Sequence, residues 1–184
     1  MLAGRSVLLI VGGGIAAYKG LEVIRLVGKA GGRATPVLTA AAAEFITPLS
    51  AAALAGRKAY GALFDLTDEA EMGHIQLSRS ADLVVVAPTT ADLMAKAANG
   101  HADDLASTLL LATDKRVLYA PAMNVRMWEH PAVRRNVATL RADGALVVGP
   151  DEGEMACGEY GPGRMAEPEA IVAAPMAFAR TCSS

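Results

Sequence analysis

Short, almost wholly apolar runs recur along the chain, each separated by a helix-like stretch, and this alternation narrows the possible folds more than any other feature. Ser6–Val11, Ala34–Thr39, Asp82–Ala87, Arg116–Ala120 and Ala145–Val148 have strand length and lack the polar alternation of a half-exposed strand. Runs of this kind belong to strands covered on both faces, which is the pattern of a parallel sheet. Between them, Ile15–Ala30, Ala91–Ala98, Asp104–Ala112 and Pro131–Asp143 read as helices; the first stops at Gly31-Gly32 and the last at Gly144. Alternating strands and helices with right-handed crossovers make an open α/β sheet. No internal repeat or linker interrupts residues 1–184, so one domain is expected. Gly149–Arg164 differs from the rest: rich in Gly, Glu and Pro and without periodicity, it is expected to be a loop or flap near 149–165.

Hydrophobic residues make up 53% of the chain and charged residues 20%, which implies apolar surface buried between copies as well as within one. The net charge of -2, with acidic and basic residues interleaved, excludes the basic footprint of a nucleic-acid binder. No apolar run reaches the roughly 18–20 residues that span a bilayer. Met1–Arg5 enters the first strand without a signal-peptide cleavage pattern, so a cytoplasmic protein is expected. Cys157 and Cys182, the latter in a polar tail, are too few for a disulfide framework. His101 and His130 have no ligand companions, so no metal site is expected.

In open α/β sheets ligands sit beyond the carboxyl ends of the strands. The first such exit, Val11-Gly12-Gly13-Gly14-Ile15-Ala16, lets backbone approach a ligand and offers the N–H groups of a helix start to a phosphate. It lacks the third glycine of the dinucleotide fingerprint and suits a mononucleotide. At the second exit, Thr39 either supplies a hydroxyl to a ligand or caps a helix, and Phe45 reads as a core side chain. At the third, Pro88 is expected to end the strand, and Thr89 and Thr90 offer hydroxyls where a helix begins. Asp92 there serves either the helix dipole or a ligand. At the fourth, Asn124 carries an acceptor and a donor suited to a carboxylate or amide, beside an apolar cluster of Met123, Met127 and Trp128. His74 stands before an amphipathic helix. Cys157 lies in the flap, placed to donate a proton or to attack.

Together these stretches resemble the flavin-containing cysteine decarboxylases, and within them the phosphopantothenoylcysteine decarboxylase family. The resemblance rests on Gly12-Gly13-Gly14-Ile15-Ala16-Ala17-Tyr18-Lys19, His74-Ile75-Gln76-Leu77, Ala87-Pro88 and Ala156-Cys157-Gly158. It rests most specifically on Pro121-Ala122-Met123-Asn124-Val125-Arg126-Met127-Trp128. It implies a flavodoxin-like (Rossmann-like) three-layer sandwich with a parallel sheet and FMN as cofactor. It also implies homotrimers with FMN at subunit contacts, often gathered into dodecamers. The implied reaction is FMN-dependent decarboxylation of 4′-phospho-N-pantothenoyl-L-cysteine to 4′-phosphopantetheine in coenzyme A biosynthesis, in a chain fused to or associated with the phosphopantothenate–cysteine ligase. The thiol-bearing carbon is oxidised, CO₂ leaves, and the enethiol is reduced again.

Residue by residue, the resemblance implies His74 and Cys157 as catalytic groups and Asn124, Ala156 and Gly158 as substrate contacts. It implies Gly13, Gly14, Ile15, Thr39, Thr90, Ala91, Asp92, Leu93 and Ala122 as FMN contacts. Pro88-Thr89-Thr90-Ala91-Asp92-Leu93 departs from the usual Pro-Ala-Ser-Ala-Asn-Thr of the family: an Asp replaces an Asn, losing an amide donor and adding charge. Related alternatives are a peptide C-terminal cysteine oxidative decarboxylase, which stops at the enethiol and has no need of Cys157, and a non-catalytic flavin-binding regulatory subunit.

Overall fold

The computed structural model describes residues 2–61 and 70–178, leaving aside the side chains of 70–72, 74 and 175–178. Five strands, β1 (Ser6–Val11), β2 (Arg33–Leu38), β3 (Leu83–Thr89), β4 (Val117–Pro121) and β5 (Leu146–Val147), form one parallel sheet in the order β2-β1-β3-β4-β5. Every expected apolar run is a strand; β1 keeps its expected bounds and the other four shift by a residue or two. The chain leaves β1 toward β2 on one side and returns to β3 on the other, so the topological switch point lies between β1 and β3.

Alternation along each strand builds two cores. Val7, Leu9 and Val11 of β1, with Val85 and Ala87 of β3, face α1 (Ala17–Lys29), α3 (Pro48–Ala55) and α9 (Pro168–Phe178). Leu8 and Ile10, with Val84 and Val86, face the opposite layer of α5 (Ala91–Asn99), α6 (Leu105–Ala112) and α8 (Pro131–Ala142). α4 (Ala70–Arg79) adds Leu77 to that side. Both faces of the sheet are therefore covered, as the apolar strands require. Short helices α2 (Ala40–Ala43) and α7 (Val125–Glu129) follow β2 and β4.

Several expectations change. Pro88 does not end β3: the strand continues to Thr89, with a register shift against β4 between Val86 and Thr89. The segment after Gly149 is not an unstructured loop. It holds an antiparallel hairpin of β6 (Asp151–Glu154) and β7 (Tyr160–Arg164), whose glycines hide the strand pattern. His74 lies inside α4 rather than before a helix, and its side chain is outside the described residues. Phe45 is 52% exposed, so it is not core. α2 and α3 escape a periodicity search because they are built largely of Ala and show no polar face. Among the described residues no helix is long and apolar enough to cross a membrane, and no cluster of His, Cys, Asp and Glu is arranged to hold a metal ion.

Asp82 fastens the starts of β1 and β3. Its carboxylate accepts from the Ser6 N–H (2.8 Å) and from Arg5 Nη1 (3.1 Å), and these bonds, the backbone one first, hold its carboxyl below the usual range. A carboxyl depressed on folding stabilises fully above the unfolded value of about 3.9 and loses that contribution as pH falls through the folded value. Asp82→Asn is therefore expected to lower the urea midpoint at neutral pH, and to lower it less at an acidic pH below the ordinary carboxylate range. Urea titrations at the two pH values measure this directly.

Candidate functional site

Backbone hydrogen bonds gather the strand exits at one end of the sheet. The Gly12 N–H donates to the Pro88 carbonyl (3.0 Å), the Thr39 N–H to Val11 (3.1 Å) and the Ala122 N–H to Thr89 (3.0 Å). The Met123 N–H donates to Gly163 (3.0 Å), which seats the β6–β7 hairpin against the β4 exit. Between these parts lies a cavity of about 630 Å³. Its walls bring together Gly13, Gly14 and Ile15 from the first exit, Ala122 and Asn124 from the fourth, and Ala156 and Cys157 from the hairpin.

The glycine turn is required by space and by backbone. A Cβ on Gly13 would lie 2.3 Å from the Ala41 Cβ; Gly14 has φ +149 and faces open space. α1 begins at Ala16 with no side-chain cap, whereas Thr39, Thr47, Thr90, Asp104, Asn124 and His130 each cap another helix. The N–H groups of Gly13, Gly14 and Ile15 meet no backbone acceptor among the described residues. A helix start left open in this way is a ready anion site.

Asn124 divides its amide between two tasks. Its Oδ1 accepts from the Met127 N–H (2.8 Å), capping α7, and its Nδ2 donors remain without an acceptor among the described residues on the cavity wall. Trp128 of the same helix is buried while Met127 is 44% exposed, so the expected apolar cluster is only partly core. Cys157 is exposed at the hairpin turn, where its thiol donates to Glu159 Oε2 at 3.8 Å. Arg126 Nε lies 3.4 Å from the other Glu159 oxygen.

Other expected contacts stand apart from the cavity lining. Thr39 and Thr90 accept cap bonds from Ala42 and Leu93, which leaves each O–H free to donate. Thr89 is buried and its hydroxyl donates to the Val86 carbonyl (2.8 Å), so it is not offered to a ligand. Leu93 is buried in the core, and Ala91 packs beside it. The exposed Asp92 carboxylate lies 3.4 Å from Lys96 Nζ. Gly158 takes φ +81 in the hairpin turn outside the cavity lining.

The cavity also holds residues the sequence reading passed over. Lys19 is nearly buried, donating to the Met165 carbonyl (3.3 Å) and to Glu167 Oε1 (2.9 Å). That bond holds the Glu167 carboxyl below its usual range. Ile15 and Lys19 stand four residues apart in the helix expected from the sequence over Ile15–Ala30, a spacing that could have placed Lys19 on the same wall. Arg164, Met155 and Glu154 line the cavity from the hairpin, and without the hairpin there was no signal for them.

The strand order, the two helical layers and the ligand-sized cavity at the carboxyl ends define a flavodoxin-like α/β protein. Residues 1–180 match the family model described as Flavoprotein, and the chain belongs to that family. It is 49% identical over 172 residues to the coenzyme A biosynthesis bifunctional protein CoaBC of Vibrio vulnificus, covering 94% of this chain but only 43% of that protein. Among solved structures it is similar to a cysteine-to-serine mutant of PPC decarboxylase complexed with pantothenoylaminoethenethiol. That match has a TM-score of 0.83 and 31% identity, over 96% of this chain and 99% of that one. It is also similar to the FMN-dependent cysteine decarboxylase SpaF, with a TM-score of 0.76 and 33% identity over 96% and 99% of the two chains.

Gly13→Ala is expected to destabilise the protein by about 1–3 kcal/mol through overpacking against Ala41. Gly28→Ala, on α1 with no atom near the added Cβ, is expected to stabilise it by about 0.5–1 kcal/mol. Urea unfolding of the two variants tests the contrast.

Proposed function

We propose that this chain performs the FMN-dependent decarboxylation of 4′-phospho-N-pantothenoyl-L-cysteine to 4′-phosphopantetheine, the decarboxylase step of coenzyme A biosynthesis. The observation that carries this reading is the meeting in one cavity of an uncapped helix start, the Asn124 amide donors that have no acceptor among the described residues, and the thiol of Cys157. The names of the similar proteins support it: one belongs to coenzyme A biosynthesis, one is a PPC decarboxylase and one is an FMN-dependent cysteine decarboxylase. A ligase half, fused or associated, goes with this assignment, in keeping with the bifunctional relative.

The residues present fit FMN. The open N–H groups of Gly13, Gly14 and Ile15 suit its phosphate. The O–H groups of Thr39 and Thr90 and the backbone of Ala122 would hold its polar edges, with Ala91, Asp92 and Leu93 forming the helix start behind Thr90. Ile15, Pro88, Ala122 and Met123 give the cavity apolar walls suited to a flat ring. When bound, FMN supplies the chemistry of taking up a hydride and returning it.

The chain's own groups then divide the work. The Asn124 N–H groups hold the substrate carboxylate by charge-assisted bonds. His74 is assigned as the base, or as the group that orients the substrate thiol. Cys157 supplies the proton that turns the enethiol into the saturated thiol, with Ala156 and Gly158 shaping the turn around it. The hairpin that bears them covers the cavity and excludes water from the reactive intermediate. Ile15, Tyr18, Phe45 and Leu49, between 52% and 79% exposed around α1 to α3, support burial against further copies in a trimer or dodecamer. A cytoplasmic site of action goes with this reading.

Protein loaded with FMN is expected to absorb at about 375 and 450 nm and to release CO₂ from phosphopantothenoylcysteine, yielding the saturated thiol by mass. Failure to take up FMN would end the proposal. Asn124→Asp retains the capping oxygen, so stability should stay within about 0.5 kcal/mol of wild type. CO₂ release should nevertheless fall about 100-fold or more, because a carboxylate then faces the substrate carboxylate. Cys157→Ser is expected to release the enethiol with FMN content unchanged; a normal saturated product would remove Cys157 from its donor role.

A further inference from the structure

We propose that Glu159 is a positioning residue that delivers to Cys157 the proton each turnover consumes. The inference rests on the reading of Cys157 as the donor to the enethiol, and deepens it.

The turn fixes the pair. The Met155 N–H donates to the Glu159 carbonyl (2.8 Å) and the Gly158 N–H to the Met155 carbonyl (2.9 Å), closing the chain over residues 155–159. Gly158, at φ +81, reverses the backbone between Cys157 and Glu159. The two side chains therefore meet, and the thiol donates to Oε2 at 3.8 Å. Arg126 stands against the other oxygen at 3.4 Å, leaving Oε2 to the sulfur. Glu154 also lines the cavity but makes no bond to the thiol. The Glu159 side chain is 37% exposed, so the residue whose carboxylate touches the thiol is also open in part to solvent.

The proton balance calls for such a route. Oxidising the thiol-bearing carbon removes a hydride and a proton. CO₂ then leaves, its bonding electron pair remaining on carbon, and the carbanion equivalent is protonated to the enethiol. Reduction adds a hydride and a proton back. The hydride is borrowed and returned, so the net change is loss of CO₂, replacement by hydrogen and uptake of one proton. Once the S–H bond of Cys157 breaks in favour of carbon, a thiolate remains and must be reprotonated before the next cycle. Glu159 is the carboxylate in contact with that sulfur, and its partly exposed side chain collects the replacement proton. Arg126 balances its charge while it is ionised.

Anaerobic single-turnover absorbance separates the two half-reactions, because flavin bleaches in the first and recovers in the second. Glu159→Gln is expected to leave bleaching within about twofold of wild type, to slow recovery about 10-fold or more and to release enethiol. Glu159→Asp should restore most of the recovery rate. In flavin-free protein, peptide-resolved alkylation of Cys157 by iodoacetamide should quicken about threefold in Glu159→Gln, because the carboxylate's charge opposes thiolate attack. The relay is overturned if Cys157→Ser stalls recovery while Glu159→Gln recovers at the wild-type rate. Recovery at the wild-type rate in Cys157→Ser would instead remove the donor reading, and the relay with it.

Discussion

Hydrogen bonds between strand exits hold the site in shape. A parallel sheet already brings every carboxyl end to one side, but it does not bring the loops that follow into contact. That is done by the Gly12 N–H on Pro88, the Ala122 N–H on Thr89 and the Met123 N–H on Gly163, which join the first, third and fourth exits and the hairpin. Each bond satisfies a backbone donor at a depth where an unpaired one would be costly. The exits at the β1–β3 switch point, where the topology leaves a crevice, are thus held close without large side chains. Small residues make this possible: Gly13 meets Ala41 so closely that a methyl group there would overlap it.

Helix starts crowd the same end, and each presents unsatisfied N–H groups. Thr39, Thr90 and Asn124 satisfy those of α2, α5 and α7 by side-chain caps. α1 has only Ala16 in that position, and just ahead of it the N–H groups of Gly13, Gly14 and Ile15 meet no backbone acceptor among the described residues. Asn124 shows why an amide is better placed here than the other capping residues. Ser, Thr or Asp could cap α7 with oxygen, but only an amide keeps N–H donors for a carboxylate after its oxygen is committed.

Much of this was legible before any coordinates. The apolar runs announced the parallel strands because a strand covered on both faces has no polar period to hide it. The glycine turn, Asn124 and Cys157 stood out because their chemistry is unusual for those positions. What stayed hidden was non-local. The β6–β7 hairpin carries five glycines and prolines together in Gly153, Gly158, Gly161, Pro162 and Gly163, and these erase the alternation that marks a strand. Lys19 and Arg164 enter the cavity only because α1 and the hairpin converge, and no spacing rule relates the two in sequence. Thr89 looked like a free hydroxyl beside Pro88, yet β3 continues past that proline and draws Thr89 into the core.

The Asp92 substitution is the sharpest departure from the family pattern, and its surroundings explain how a carboxylate can stand so near the end of the sheet proposed to bind an anion. Lys96, one turn along α5, is flanked by Asp92 at 3.4 Å, Asp103 at 3.0 Å and Asp104 at 3.3 Å. Asp103 foremost, these carboxylates hold the ammonium well above its ordinary range, so it stays charged under any working condition. Asp104 also caps α6, which anchors the cluster to the fold. Asp92 therefore turns its charge along the helix toward a fixed cation, while favouring the positive end of α5 from its first turn. The donor lost with the usual Asn is not replaced at that position; Thr90, whose O–H remains free beside it, is left as the hydroxyl at that exit.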